Sequence, residues 1–351
     1  MKKALLVLLL LAVLAGGLFA QVSFGGEVVT GVLFKATDDD TTLSALWPDG
    51  APAYRARLNG AYTNDDGNAG ANFRVQLTDG GATAGYGWGW FKPLDMLTIN
   101  FGKLDQWNYG SMGGFDSNNG FADPLGILVN LAPIPGLNVL LAGNLKNITD
   151  AAEPAEADYS AGVRYVAAGL FGANASINYQ KDTKATAYAG FDFLGLSGLG
   201  LTKLAIDVKA ENLNEFSDKG TFGVGPRIHF ALGDLGLQLR SQVYLPLGGD
   251  EEKDLDLVAH LLATYKIGNI TPGIALGYQL DGAAFSNDYR NWDAMQGKEI
   301  GGLGDPALFI KPYVAFNLGG KTVELGYAFE SIMADTAITQ HLIFANLNVG
   351  F

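Results

Sequence analysis

The side chains able to carry chemistry in this chain are scattered, and most stand one position away from an apolar neighbour. The three histidines, His229, His260 and His341, are far apart and suggest no Ser/His/Asp set. Arg227 and His229 interrupt the apolar series Phe222, Val224, Ile228, Phe230 and Leu232. Asp256, His260, Thr264 and Lys266 alternate with Leu255, Leu257, Ala259, Leu261, Ala263, Tyr265 and Ile267. Arg240 and Gln242 alternate with Leu239 and Val243, and Glu324 and Glu330 with Val323, Leu325, Tyr327 and Phe329. Short motifs fail on inspection. "GGKT" at 319–322 has Ala315 where a phosphate loop needs its first glycine, so it reads as a turn. "GLSGL" lacks the closing glycine of a nucleophile elbow. "GGLGD" at 301–305 occurs once, whereas calcium-binding repeats need many copies. With no cysteine, a thiolate metal site, a disulfide framework, a cysteine nucleophile and a lipidated N-terminal cysteine are all excluded. The reading is a protein without enzymatic activity, cofactor or metal. A net charge of −13 argues against a nucleic-acid partner, because phosphate binding needs the opposite sign.

The elements that must position these residues repeat with a period of two, which is strand spacing. The alternating runs reach ten residues or more, longer than the roughly 5–6 residues of an average soluble strand. About 9–11 tilted residues cross a bilayer. Large apolar faces recur around the whole chain, and one closed barrel in lipid uses them all. Closure also pairs every backbone N–H and C=O, which lipid cannot do. The turns alternate in length. Short ones fall near 64–68, 92–95, 133–136, 168–171, 196–200, 233–236, 267–269 and 318–321; most of the others, such as 36–53, 104–124 and 281–306, are longer and often acidic. The expected fold is therefore all-β: a single transmembrane antiparallel β-barrel with short periplasmic turns and long extracellular loops. The runs count to about eighteen strands, with sixteen as the alternative because "LTDGGAT" and 126–144 are ambiguous.

The N-terminus reads as an export signal. Lys2 and Lys3 precede the apolar run from Ala4 to Ala15, and Gly16, Gly17 and Ala20 supply small residues before a cleavage site after Ala20. Residues 1–20 are expected to be a signal peptide and 21–351 a single barrel domain.

The last strand, "HLIFANLNVGF", places Ile343, Ala345, Leu347 and Val349 on the face of the terminal Phe351. This is similar to the C-terminal signature of bacterial outer-membrane barrels, whose final aromatic the barrel assembly machinery reads. With the export signal and the alternating runs, the chain resembles the general bacterial porins. That resemblance implies an outer-membrane protein of a diderm bacterium, embedded in lipid and assembled as a homotrimer. In that family the loop after the fifth strand folds into the lumen. Here the loop after Leu97–Lys103 is 104–124, and its "MGGFD" at 112–116 resembles the family's turn. The resemblance then makes Asp105, Asp116 and Asp123 the acidic side of a constriction and Arg55, Arg57 and Arg74 the basic wall opposite.

Placing each polar face toward the lumen gives a mixed lining. Its basic members are Arg55, Arg57, Arg74, Arg164, Lys203, Lys209, Arg227, Arg240, Lys266 and Lys311. Its acidic members are Glu27, Asp192, Asp207, Glu211, Asp256, Glu324 and Glu330. In "AGYGWGWF" (84–91), Tyr86, Trp88 and Trp90 alternate with Gly85, Gly87 and Gly89. The aromatics are expected to face lipid or a neighbouring subunit. The glycine face then turns to the lumen, either as room in the pore or as a place for the strand to bend. The function expected is an outer-membrane porin, a water-filled channel for passive diffusion of small hydrophilic solutes and ions. One alternative is a substrate-selective pore, for sugars for example, in which Trp107, Tyr109, Phe115 and Phe121 form a stacking track. The other is a non-conducting surface adhesin or structural barrel that works through its acidic loops.

Overall fold

The computed structural model describes residues 21–37, 41–45, 54–78, 81–105, 122–146, 156–180, 184–194, 200–247, 255–280, 307–332 and 338–351. The export segment 1–20 lies outside these residues. The strands are β1 (Gln21–Thr37), β2 (Thr41–Ala45), β3 (Tyr54–Thr63), β4 (Ala69–Thr78), β5 (Gly81–Leu94), β6 (Leu97–Asp105), β7 (Ala122–Leu131), β8 (Leu137–Lys146), β9 (Glu156–Ala167), β10 (Phe171–Gln180), β11 (Lys184–Phe193), β12 (Leu201–Glu211), β13 (Thr221–Leu232), β14 (Leu235–Pro246), β15 (Asp256–Tyr265), β16 (Ile270–Gln279), β17 (Ala307–Asn317), β18 (Lys321–Ile332) and β19 (Ile338–Gly350). All pairings are antiparallel and join chain neighbours, except that β2 and β3 each pair with β1 rather than with each other, and β1 pairs with β19, so the sheet closes on itself. β2 and β3 share one position in the wall. β1 pairs with β2 through Val32–Ala36 and with β3 through Gln21–Thr30. The barrel therefore has 18 staves. The two ambiguous segments are both hairpins: β4–β5 meet at Thr78 and Gly81, and β7–β8 pair along Gly126–Leu131.

Alternation sorts the side chains into two faces whose polarity is the reverse of a soluble protein's. On the convex face large apolar groups are exposed: Ile343 57%, Leu141 56%, Ile127 54% and Leu239 45%. On the concave face polar and charged groups are buried, with Arg240, Lys311, Gln242 and Asp207 all at or below 1%. In water such an outer surface would be a large liability. In hydrocarbon it is the surface the solvent requires, and the closed ladder satisfies the backbone.

The short connections cluster at the end where the chain's last residues pair with β1. Several are two-residue hairpins, two of which illustrate the geometry. Leu232 pairs with Leu235 and Ile267 with Ile270, and the first loop residues, Gly233 and Gly268, take φ +61° and +59°. That backbone matches the right-handed twist of the flanking strands and favours glycine. Among the described residues of the opposite end, the β12–β13 connection forms a helical turn at Phe216–Lys219. Asn214 Oδ1 there accepts a hydrogen bond from the Ala185 backbone N–H at 3.1 Å, holding the loop against β11.

Candidate functional site

The concave wall of the barrel is the candidate site. Two of the expected basic residues lie on it, each held by neighbours on adjacent staves. Arg57 on β3 faces Glu27 on β1 and Gln76 on β4. Its Nη1 sits 3.1 Å from Glu27 Oε1, and its Nε donates to Gln76 Oε1 at 2.8 Å. Arg74 on β4 donates from Nε to Asn59 Oδ1 at 2.8 Å and lies over the Tyr86 ring, 4.4 Å from its centroid. Arg55 occupies β3 opposite Val29; its side chain lies outside the described ones. Asp105 and Asp123 fall on β6 and β7 with side chains likewise outside the description, and Asp116 lies outside the described residues altogether. What is described gives two members of the basic wall and leaves the acidic side of the expected constriction unplaced.

The face of β5 is the reverse of the sequence expectation. Gln76 pairs with Thr83 and Val75 with Ala84, but Arg74 pairs with Tyr86. Gly85 is the extra residue of a β-bulge. One inserted residue exchanges the two faces of everything beyond it. Tyr86, Trp88 and Trp90 therefore share the concave face with Arg74, Asn72 and Gly70, their partners on β4. Gly87 and Gly89 look outward. Gly87 has open space where a Cβ would stand, and a Cβ on Gly89 would meet the ring of Phe101, itself on the convex face. Gly85 remains on the Arg74 side, where a Cβ would come 3.1 Å from Arg74 Cδ. The glycines thus do not form a lumen face. The smooth surface of Gly87 and Gly89 belongs to the lipid side, and the aromatics are half-buried in the wall of the lumen.

Around the rest of the wall the charged residues are mostly already matched. Lys203 Nζ lies 3.1 Å from Asp192 Oδ2, Lys209 Nζ 2.7 Å from Glu211 Oε1, and Lys311 Nζ 3.0 Å from Glu324 Oε1. Arg227 Nε donates to His229 Nε2 at 2.8 Å. Two of these ammonium groups also lie over rings. Lys209 stands 5.6 and 5.5 Å from Tyr188 and Tyr244, and Lys311 5.2 and 4.9 Å from Tyr313 and Phe344. Each is within cation–π range. β9 and β10 add small neutral groups, Ser160, Asn174, Ser176 and Asn178, all buried on the inner face beside the buried Asp158.

Sequence reasoning missed the apolar part of this wall. Leu104, Leu128, Leu140 and Ala142 form a buried inner cluster against which Trp88 packs. Leu33, Ala328, Leu342 and Phe344 form a second, joined by Phe309 and Tyr313. The signal was parity: Phe344 stands two positions from Asn346, and Tyr244 two from Gln242. Among the described residues no His/Cys/Asp/Glu cluster could hold a metal. No described helix could cross a membrane, which says nothing of strands.

Phe351 closes the seam. Its N–H donates to Gly26 O at 3.0 Å, and its carbonyl accepts from Gly26 N–H at 2.8 Å. The ring lies over the α-carbon of Gly26, where a Cβ would stand 2.5 Å from Cζ.

The closed, inside-out wall of 18 antiparallel staves is the fold of the bacterial outer-membrane porins. Solved structures of this shape include Pseudomonas aeruginosa OpdO, at TM-score 0.58 and 11% identity over 94% of this chain and 98% of that one. P. aeruginosa OpdL aligns at TM-score 0.59 and 10% identity over 94% and 99%, and Acinetobacter baumannii OccAB4 at 0.55 and 9% over 95% and 99%. At such identities the likeness is one of fold. No protein-family model and no curated protein matches the sequence.

Proposed function

We propose that this chain is an outer-membrane porin, a channel rather than an enzyme, through which small hydrophilic solutes and ions diffuse. The observation that carries the reading is the inverted polarity of a closed barrel. Apolar groups line the outside, and hydrogen-bonding and ionic groups share the inside with two apolar clusters. Such an interior is suited to water and solutes. The shared fold with OpdO and OpdL supports it.

Several further statements belong to the same proposal. Residues 1–20 are a signal peptide removed during export, and 21–351 form the barrel domain. The assembly machinery of the outer membrane reads Phe351, and the mature protein trimerises. Arg55, Arg57 and Arg74 form the basic side of a constriction whose acidic side is Asp105, Asp116 and Asp123. A field across such a gap orients dipolar solutes and disfavours apolar ones.

The test is single-channel conductance of the refolded mature protein in a planar bilayer under a KCl gradient. Steady steps with a reversal potential are expected. A folded, heat-modifiable barrel that passes no current overturns the proposal and leaves the surface-adhesin reading in its place.

A further inference from the structure

Three rings in a row project from one stave into the lumen wall. Because of the bulge at Gly85, Tyr86, Trp88 and Trp90 occupy successive inward positions of β5. At about 3.4 Å per residue the row extends about 14 Å along the strand. Tyr86 and Trp88 lie 4.8 Å apart, centroid to centroid. The third ring is laid against the wall by a missing side chain: on Gly70 a Cβ would fall 2.6 Å from Trp90 Cζ2, so the indole rests on bare backbone. All three rings are only part-buried.

The surroundings of the rings define what they suit. Near them on the inner face stand Asn72 and Asn100 on the flanking staves and Asn59 one stave further, whose Oδ1 accepts from the Tyr86 hydroxyl at 3.4 Å; all three are neutral amides. The cations at the two ends are committed to ring faces, Arg74 over Tyr86 at 4.4 Å and Lys92 over Trp90 at 5.3 Å. An aromatic face attracts the polarised C–H groups of a flat ring, and amides at its margin hydrogen-bond the hydroxyls around that ring. An acyclic polyol offers the hydroxyls without a flat face.

Resting on the porin reading, we propose that Tyr86, Trp88 and Trp90 are a stacking rail that binds neutral pyranose sugars transiently during passage. The binding is weak and repeated along the row, as a conducting pathway requires. The other explanation of a ring row is packing alone, and Trp88 does pack on the inner Leu104 cluster. Packing would leave solute discrimination untouched.

The experiment measures block of ion current in planar bilayers by maltose and by sorbitol, for wild type, Trp88→Leu and Trp90→Ala. Trp88→Leu keeps an apolar side chain against the leucine cluster, and Trp90→Ala tests a ring outside it. Heat-modifiable migration reports folding for each. The rail predicts that maltose blocks wild-type current at concentrations where sorbitol does not. It also predicts that at least one folded variant needs about fivefold to tenfold more maltose. A conducting wild type that maltose and sorbitol affect alike, or a block unchanged in both folded variants, overturns the rail and leaves the porin reading standing. Absence of current in the folded wild type overturns the porin reading and the rail with it.

Discussion

Lys311 offers the sharpest test of how the wall is held together. Its side chain is 1% exposed, its Nζ is 3.0 Å from Glu324 Oε1, and the rings of Tyr313 and Phe344 lie beside it. At that distance and an effective dielectric constant of about 20, the Coulomb attraction is about 5–6 kcal/mol. Desolvation of the two charges offsets much of it, so the pair gives little net stability over an apolar substitute. Breaking it from one side is different. Glu324→Gln leaves a buried ammonium with ring faces and a neutral amide in place of its counter-ion, and should cost about 3–5 kcal/mol. Lys311→Met leaves the better-exposed carboxylate, 17% accessible, and should cost less, about 2–4 kcal/mol. The double variant should be more stable than Glu324→Gln alone, because Met fills the lysine stem's place and no charge is stranded. Equilibrium urea unfolding in lipid vesicles, followed by tryptophan fluorescence, measures all four proteins. Single substitutions that shift stability by less than about 0.5 kcal/mol, or that simply add in the double variant, would refute the pairing argument.

Three other predictions follow from the same wall. Gly26→Val places a branched side chain against the Phe351 ring and the Arg57 carbonyl. It should lower stability by about 1–3 kcal/mol, read as a lower urea midpoint, and an unchanged midpoint would remove Phe351 from the seam. Gly87→Trp points into lipid and should leave single-channel conductance unaltered in a folded barrel; reduced conductance would return this glycine to the lumen face. Arg57→Gln removes the positive charge beside Glu27 and should move the reversal potential toward cation selectivity, whereas Glu27→Gln should move it the other way, toward anions. Shifts of the same sign in both variants would show that neither charge faces the ion path.

The barrel was legible because lipid and lumen impose opposite demands on successive residues. From Leu255 to Ile267 and from Val323 to Phe329 every outward position is apolar, and the expected faces agree with those of the structure, Leu261 and Leu325 outside and His260 and Ala328 inside, although Val258 and Leu262 put apolar groups on the inner face as well. The strand count was legible for a related reason, since each short turn carries a glycine or proline between two alternating runs. β5 shows where this reasoning stops. In 81–91 glycine and alanine fill so many positions that only the aromatics define a face, and parity read from Thr83 puts them outside. The bulge at Gly85 reverses that parity. A bulge is one residue of unpaired backbone, and a run of glycines tolerates it anywhere, so the sequence carries no mark of its position.

The same argument bears on the charges. A list of inward basic and acidic residues gives a somewhat basic wall, but selectivity depends on which of them remain unmatched. Lys203, Lys209 and Lys311 each have a carboxylate within 3.1 Å, and Arg57 has Glu27. Paired charges act on a passing ion as dipoles, whose fields fall off faster than those of single charges and are further weakened by salt. Arg74, which donates to Asn59 and lies over the Tyr86 ring, likewise acts through its neighbours at the head of the aromatic row.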